Sequence, residues 1–367
     1  MKTILSIFFA VLLLTNCVGK TTTVPPSATN EPATVTTQPV IEEENVKVTA
    51  EESAPLIIGG RQYRGQLGER VEVENGWWRI PNGPVNCTID DIDKLFIMTL
   101  WVDPENPERR SSIENLEMLY NLKELHIRGE NFDKVDFSPI SSLLNLEELE
   151  IEGNITRLPD LTHLERLSKI EIKKSALESL KGICGSRIEK LNIQTSAKNN
   201  TVLKISDMKN MTGVESFWFE GGKIDLHAIE NLSSLKFMYL SLCEPFNIEG
   251  IGQLQNLEQL TMNIIDPNPT IAFLKDLPNL ESVNLHGNYN LETGDFYSYY
   301  EPTQVLDVSP LASLKKIGSI SCDNFIIKNI SALDTLDMMI INLWGSRLYD
   351  VTEKSKHPLY FKMERDG

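Results

Sequence analysis

Across residues 145–154, NLEELEIEGN, the apolar positions are Leu146, Leu149 and Ile151, and the rest are acidic, amide or glycine. An α-helix turns 100° per residue, so offset five lies about 140° from offset zero and these three share no helical face. As a strand, Leu149 and Ile151 point one way while Glu148, Glu150 and Glu152 point the other. The same apolar-x-x-apolar-x-apolar pattern recurs as IDKLFI (92–97), LKELHI (122–127), LEELEI (146–151), LSKIEI (167–172), IEKLNI (188–193) and VESFWF (214–219). It continues as LKFMYL (235–240), LEQLTM (257–262), LESVNL (280–285), IGSISC (317–322) and LDMMII (336–341), eleven copies in all. Copies begin 19 to 37 residues apart, most of them 21 to 24.

Apolar residues at spacing three precede the copies, as in Ile140, Leu143 and Leu146, or Leu161, Leu164 and Leu167. Spacing three eclipses side chains in a 3-10 turn, and spacing two then belongs to a strand. Such a unit is too small to bury its apolar atoms alone, so the units must stack and pair their strands into one continuous core. This pattern resembles leucine-rich repeats, and DFSPISSLLNLEEL (136–149) and DVSPLASLKKI (307–317) are similar to the internalin type of roughly 22 residues. The resemblance implies an α/β solenoid over 92–344, with a concave parallel β-sheet and short helical or 3-10 turns on the convex side. Three residues past the last strand position, where the family usually has Asn or Cys, stand Asn154, Asn288 and Cys243, with Ser, Gly or an apolar residue in most other copies. The side-chain ladder of the family is therefore expected to be incomplete.

Before the array, the chain starts with MKTILSIFFAVLLLTNC, a basic Lys2 followed by an apolar run that ends at Leu14. The run is short for a bilayer span and fits a targeting segment. Its end, LTNC, resembles the lipobox of bacterial lipoproteins, with Asn16 where that pattern usually has Ala or Gly. The resemblance implies a signal peptide over 1–16 and acylation of Cys17. Residues 17–55 are rich in Thr and Pro and poor in large apolar groups, so a disordered tether is expected. Residues 56–91, with GG at 59–60, NG at 75–76 and Trp77-Trp78, suit a hairpin-like N-terminal cap, and 345–367 suit a C-terminal cap.

The formal charge is −17, which disfavours nucleic acid as a partner. Cys87, Cys184, Cys243 and Cys322 fall too many strand steps apart to pair, and four unpaired, mostly buried thiols are expected. His126 and His286 lie seven repeats apart, and HExxH, CxxC, GxSxG and a phosphate loop are all missing. DPENPE (103–108) fits a Pro-rich turn better than a Ca²⁺ loop. The segment after the array is too short for a catalytic domain. No enzyme, metal site or cofactor is expected.

A binding surface is expected on the concave sheet. The central x of each copy gives Phe96, His126, Glu150, Glu171, Asn192, Trp218, Tyr239, Thr261, Asn284, Ser321 and Ile340. Trp218, Tyr239 and neighbouring Phe237 form an aromatic strip, and large aromatic side chains that face solvent are the commonest interface anchors. His126, Glu150 and Glu171 belong to a second, charged zone that also holds Lys169, Lys173 and Lys174, and self-pairing competes there with steering of a basic partner. An insertion at 288–305 adds Tyr289, Phe296, Tyr297, Tyr299 and Tyr300, either a recognition loop or a flap over the array. The resulting expectation is a monomeric, lipid-anchored, surface-exposed protein of a bacterial cell envelope that binds a protein or glycan. Adhesion or host interaction is what the internalin resemblance implies, and an envelope scaffold joining the cell's own proteins is the alternative.

Overall fold

The computed structural model describes residues 53–73, 77–79, 83–183, 187–196, 201–208, 211–287, 302–337 and 340–360. Cys17 and the tether, Cys184, Asn288, and the inserted-loop residues Tyr289, Phe296, Tyr297, Tyr299 and Tyr300 lie outside the described residues.

Spacing three and spacing two separate in space as their periods require. Leu143 N–H donates to Ile140 C=O at 3.0 Å and Leu146 N–H to Leu143 C=O at 2.9 Å, successive i→i+3 bonds that bring eclipsed side chains onto one line. All three are fully buried, and so are Leu149 and Ile151 in the strand that follows, Glu148–Glu152. The convex side carries short 3-10 turns such as Ser138–Ser142, Ile229–Asn231 and Ser309–Ser313, with no α-helix among the described residues. Proline at the start of two of these turns costs no hydrogen bond, because the first N–H groups of a helical turn have no internal partner.

The strands form one parallel sheet, twelve strands among the described residues, arranged in chain order from Ile97–Val102 to Leu359–Tyr360. A repeated backbone joint fixes the register. Each carbonyl just after the first apolar residue accepts two N–H groups from the next repeat: Lys123 C=O accepts from Glu147 and Glu148 at 2.7 and 3.0 Å, and Glu215 C=O from Lys236 and Phe237 at 2.9 and 3.0 Å. A sheet hydrogen-bonded this way cannot slip by one residue without turning its Leu and Ile rows to water.

That register corrects the end copies. Phe96 C=O accepts from Lys123 and Glu124, and Met98 and Leu100 pair with Leu125 and Ile127. The first repeat is therefore LFIMTL (95–100), three residues later than IDKLFI, and Thr99 takes the central place expected for Phe96. Ile92, Leu95 and Ile97 imitate the motif because Ile92 belongs to the preceding 3-10 turn, Ile89–Lys94, which shares the spacing of three. At the other end Ile341 pairs with Ile320, so the last copy shifts by two and Asn342, not Ile340, joins the central row. The sheet then gains a strand within the expected C-terminal cap, where Tyr360 pairs with Asn342.

Two narrower parallel ribbons flank the long sheet. Val202–Lys204, Lys223–Asp225 and Glu244–Phe246 form one; Val305–Asp307, Ile326–Lys328 and Arg347–Leu348 form the other. Between repeats, asparagines form a seam: Asn145, Asn256 and Asn279 each donate a side-chain N–H to the backbone carbonyl of Tyr120, Ser233 and Gln255 at 2.7 to 2.8 Å. This seam uses the Asn before the first Leu, while Asn154 after the strand accepts from Phe132 N–H at 3.0 Å. At the N-terminal edge a hairpin, Ile57–Ile58 with Arg61–Gln62, turns through Gly59. Gly59 has φ +54, and a Cβ there would lie 2.0 Å from Ser112 O, so glycine is required. Cys87, Cys243 and Cys322 are buried free thiols.

Candidate binding face

Alternation along each strand leaves rows of side chains on the solvent side of the sheet. In register, the central row reads Thr99, His126, Glu150, Glu171, Asn192, Trp218, Tyr239, Thr261, Asn284, Ser321, Asn342 and Tyr360. His126, Glu150 and Glu171 thus stand side by side, as do Trp218 and Tyr239.

The early repeats carry a closed charge network. Glu150 Oε2 lies 2.8 Å from His126 Nδ1, while its Oε1 lies 3.3 Å from Arg128 and 3.1 Å from Lys173. Lys173 also meets Glu171 at 3.0 Å, Lys174 meets Glu152 at 2.5 Å and Lys169 meets Glu148 at 2.8 Å. Asn192 Nδ2 donates to the same oxygen that Lys173 meets, Glu171 Oε1, at 3.3 Å. The carboxylates of Glu124 and Glu150 raise the His126 pKa against the opposing effect of burial. By distance Glu150 is the hydrogen-bonded partner, and Glu124, 3.8 Å from Nε2, acts through charge. Burial pushes the Glu150 carboxyl up, but His126 and Lys173 outweigh it and hold the group below the usual carboxylate value. This zone neutralises itself. Each such pair contributes at most about 1 kcal/mol near water, so the network offers a partner little unspent charge.

The aromatic strip is built differently. Trp218 and Tyr239 stack with ring centroids 5.2 Å apart and planes inclined by 30°, and Trp218 keeps 37% of its surface in water. Tyr239 Oη donates to Gln259 Oε1 at 3.0 Å, which orients the ring. Phe237 lies half-buried in the neighbouring row between Ser216 and Gln259. Beyond the strip the two rows carry uncharged side chains: Gln259, Thr261, Ser282, Asn284, Ser319, Ser321 and Asn342. Burial raises the pKa of Glu220, the acid one position further along the Trp218 strand face. His286 and Asp323 form an ion pair at 3.1 Å, seven strands from His126. Among the described residues no group of three His, Cys, Asp or Glu could hold a metal.

Sequence reasoning missed Trp101, now on the face of the first strand and 47% exposed, with the Arg109 guanidinium 5.1 Å above its ring. The corrected register is the signal, because it places Trp101 opposite Arg128.

No family model and no curated protein matches the chain. Among solved structures, an internalin of Listeria monocytogenes is 20% identical, with 74% of this chain and 72% of that one covered at a TM-score of 0.53. An internalin C2 from the same bacterium is 18% identical, covering 76% of this chain and 85% of that one at 0.30. A leucine-rich repeat protein of Leptospira interrogans is 15% identical, covering 70% and 74% at 0.39. The first likeness, together with the twelve-stranded sheet, establishes the leucine-rich repeat fold.

Proposed function

We propose that this chain binds a protein ligand through the sheet face, with Trp218, Tyr239 and Phe237 as the anchors. The observation that carries the reading is the stacked Trp218–Tyr239 pair, solvent-facing and set between a self-paired charged zone and an uncharged polar one. Aromatic surface held rigid in water gains free energy when a partner covers it, and little rotamer entropy is lost on binding. The lipobox-like LTNC and the Thr/Pro-rich segment behind it support a lipid-anchored monomer held off a bacterial envelope membrane. The Tyr-rich insertion supplies a second contact, and adhesion is the role such an outward-facing receptor would serve.

A photo-reactive benzophenone side chain at Thr261, beside Tyr239 in the sheet, tests the face directly on intact producing cells mixed with host-cell protein. A cross-linked protein band that disappears in the Trp218→Ala background supports the reading. A band that survives Trp218→Ala, or no band while the same probe at Lys174 gives one, moves the contact elsewhere. Proteolysis of intact cells tests the location: loss of the chain supports outward display, and protection contradicts it.

A further inference from the structure

A second, chemically different site opens at the C-terminal ends of the first four strands. It is a cleft of about 290 Å³, with Trp101 on its floor and the Asp103–Arg110 loop as one wall. The loop is fixed by its own bonds: Asp103 N–H to Arg110 C=O at 2.8 Å, Asn106 N–H to Asp103 C=O at 3.1 Å and Arg109 N–H to Asn106 C=O at 2.9 Å. Arg61 Nε ties down the outer side by donating to Arg109 C=O at 2.8 Å. The wall is therefore preformed.

The polar groups of the cleft divide into spent and unspent. Glu152 meets Lys174 at 2.5 Å and Arg128 at 3.6 Å. Asp103 Oδ1 accepts from Asn131 at 2.8 Å and from Glu105 N–H at 3.1 Å. Arg109, by contrast, makes no ion pair among the described residues; its guanidinium carbon lies 5.1 Å from the centre of the Trp101 ring. With no hydrogen bond of their own among the described residues, the guanidinium N–H groups can meet a carboxylate with two parallel bonds. Opposite it, Glu130 is exposed at the rim and also makes no ion pair among the described residues.

We propose that this cleft binds a carboxylated sugar ring, a uronic acid unit of an acidic glycan. The carboxylate accepts from Arg109, ring hydroxyls donate to Glu130 and accept from Asn106 Nδ2, whose Oδ1 already accepts from Glu108 N–H at 2.9 Å, and the apolar C–H face of the ring lies against the part of the Trp101 indole that Arg109 leaves exposed. Each alternative leaves one group unsatisfied. A neutral sugar leaves Arg109 unmatched, a simple aliphatic carboxylate offers neither ring hydroxyls to Glu130 nor a C–H face to Trp101, and a doubly charged phosphate sets extra negative charge against Glu130. Trp101 and the Arg109 loop stand five strand steps, about 24 Å, from Trp218, so the site does not depend on the aromatic strip.

The test titrates the full chain with glucuronic acid, glucose and N-acetylaspartate, read by saturation-transfer NMR and tryptophan fluorescence. Glucuronic acid is expected to bind with a dissociation constant of about 1 mM, at least tenfold tighter than the other two. Arg109→Gln and Trp101→Ala should each weaken it at least about tenfold while melting like the parent chain, and Trp218→Ala should leave it unchanged. Equal binding of glucose overturns the role of Arg109, and equal binding of N-acetylaspartate overturns the sugar. No saturation by about 50 mM glucuronic acid, or an unaltered affinity in Arg109→Gln, removes the proposal.

Discussion

Repeats two to four and repeats six to eight share one backbone and one register, yet their solvent faces solve opposite problems. In the first group His126, Arg128, Lys169, Lys173 and Lys174 satisfy Glu148, Glu150, Glu152 and Glu171 within the sheet. In the second, the Trp218 and Tyr239 rings stack on each other, Gln259 holds the tyrosine hydroxyl, and more than a third of the Trp218 surface remains in water. A face that closes its own bonds is a wall, whereas a face with unburied aromatic area has something to gain from contact. The solenoid therefore separates fold from recognition: the inward residues are apolar and buried in both groups, whereas the outward ones differ in kind.

The largest effect should be the one the two regions share. Ile151→Ala under the charged zone and Leu240→Ala under the aromatic strip both empty fully buried positions, and each should cost about 2–5 kcal/mol in urea unfolding. A cost confined to one of them would mean that the core is not continuous. The next effect belongs to the charged zone alone. His126 has a raised pKa, so its stabilising contribution is complete below the unfolded imidazole value of about 6.5 and is lost as pH rises through the folded value. Glu124 and Glu150 have lowered values, so theirs is present above the unfolded carboxylate value and is lost as pH falls through the folded one. The network is thus strongest at about pH 5–6.5. His126→Gln should be most destabilising in that window and nearly neutral at about pH 9, measured as the difference in unfolding midpoints; a pH-independent difference would remove the ion-pair account. The smallest effect is at the rim. Lys169→Ala, which breaks an exposed pair, should change stability by less than about 0.5 kcal/mol.

Much of this contrast is legible in the chain. Leu146, Leu149 and Ile151 declare their strand because offsets zero, three and five fit no helix, and the eleven-fold recurrence converts that into a stacked array. Trp218 beside Tyr239 follows from the repeat register alone. The first repeat is misread for a physical reason: the 3-10 turn Ile89–Lys94 supplies an apolar residue at the same spacing of three that opens the motif, so Ile92, Leu95 and Ile97 satisfy it one turn early. That shift hid Trp101, and with it the cleft, because Trp101 then fell outside any strand. The flanking ribbons did leave a signal in period-two pairs such as Leu203 with Ile205 and Ile224 with Leu226, all buried. The Asn seam left one too, in the recurring Asn-Leu of Asn145, Asn256 and Asn279. Ion pairs across strands follow register only in part: Lys169 meets its register partner Glu148, but Lys173 and Lys174 reach diagonally to Glu150 and Glu152, which rotamers decide.

The claim that the aromatic strip, and not the acidic one, meets the partner is tested most directly by comparing two variants against the cross-linked protein once it is purified. Equilibrium affinity is measured for the parent chain, Trp218→Ala and Glu150→Gln. The account predicts a loss of about 2 kcal/mol or more, at least thirtyfold, for Trp218→Ala and less than about 0.5 kcal/mol for Glu150→Gln. The reverse order, with Glu150→Gln abolishing binding and Trp218→Ala leaving it intact, would contradict it.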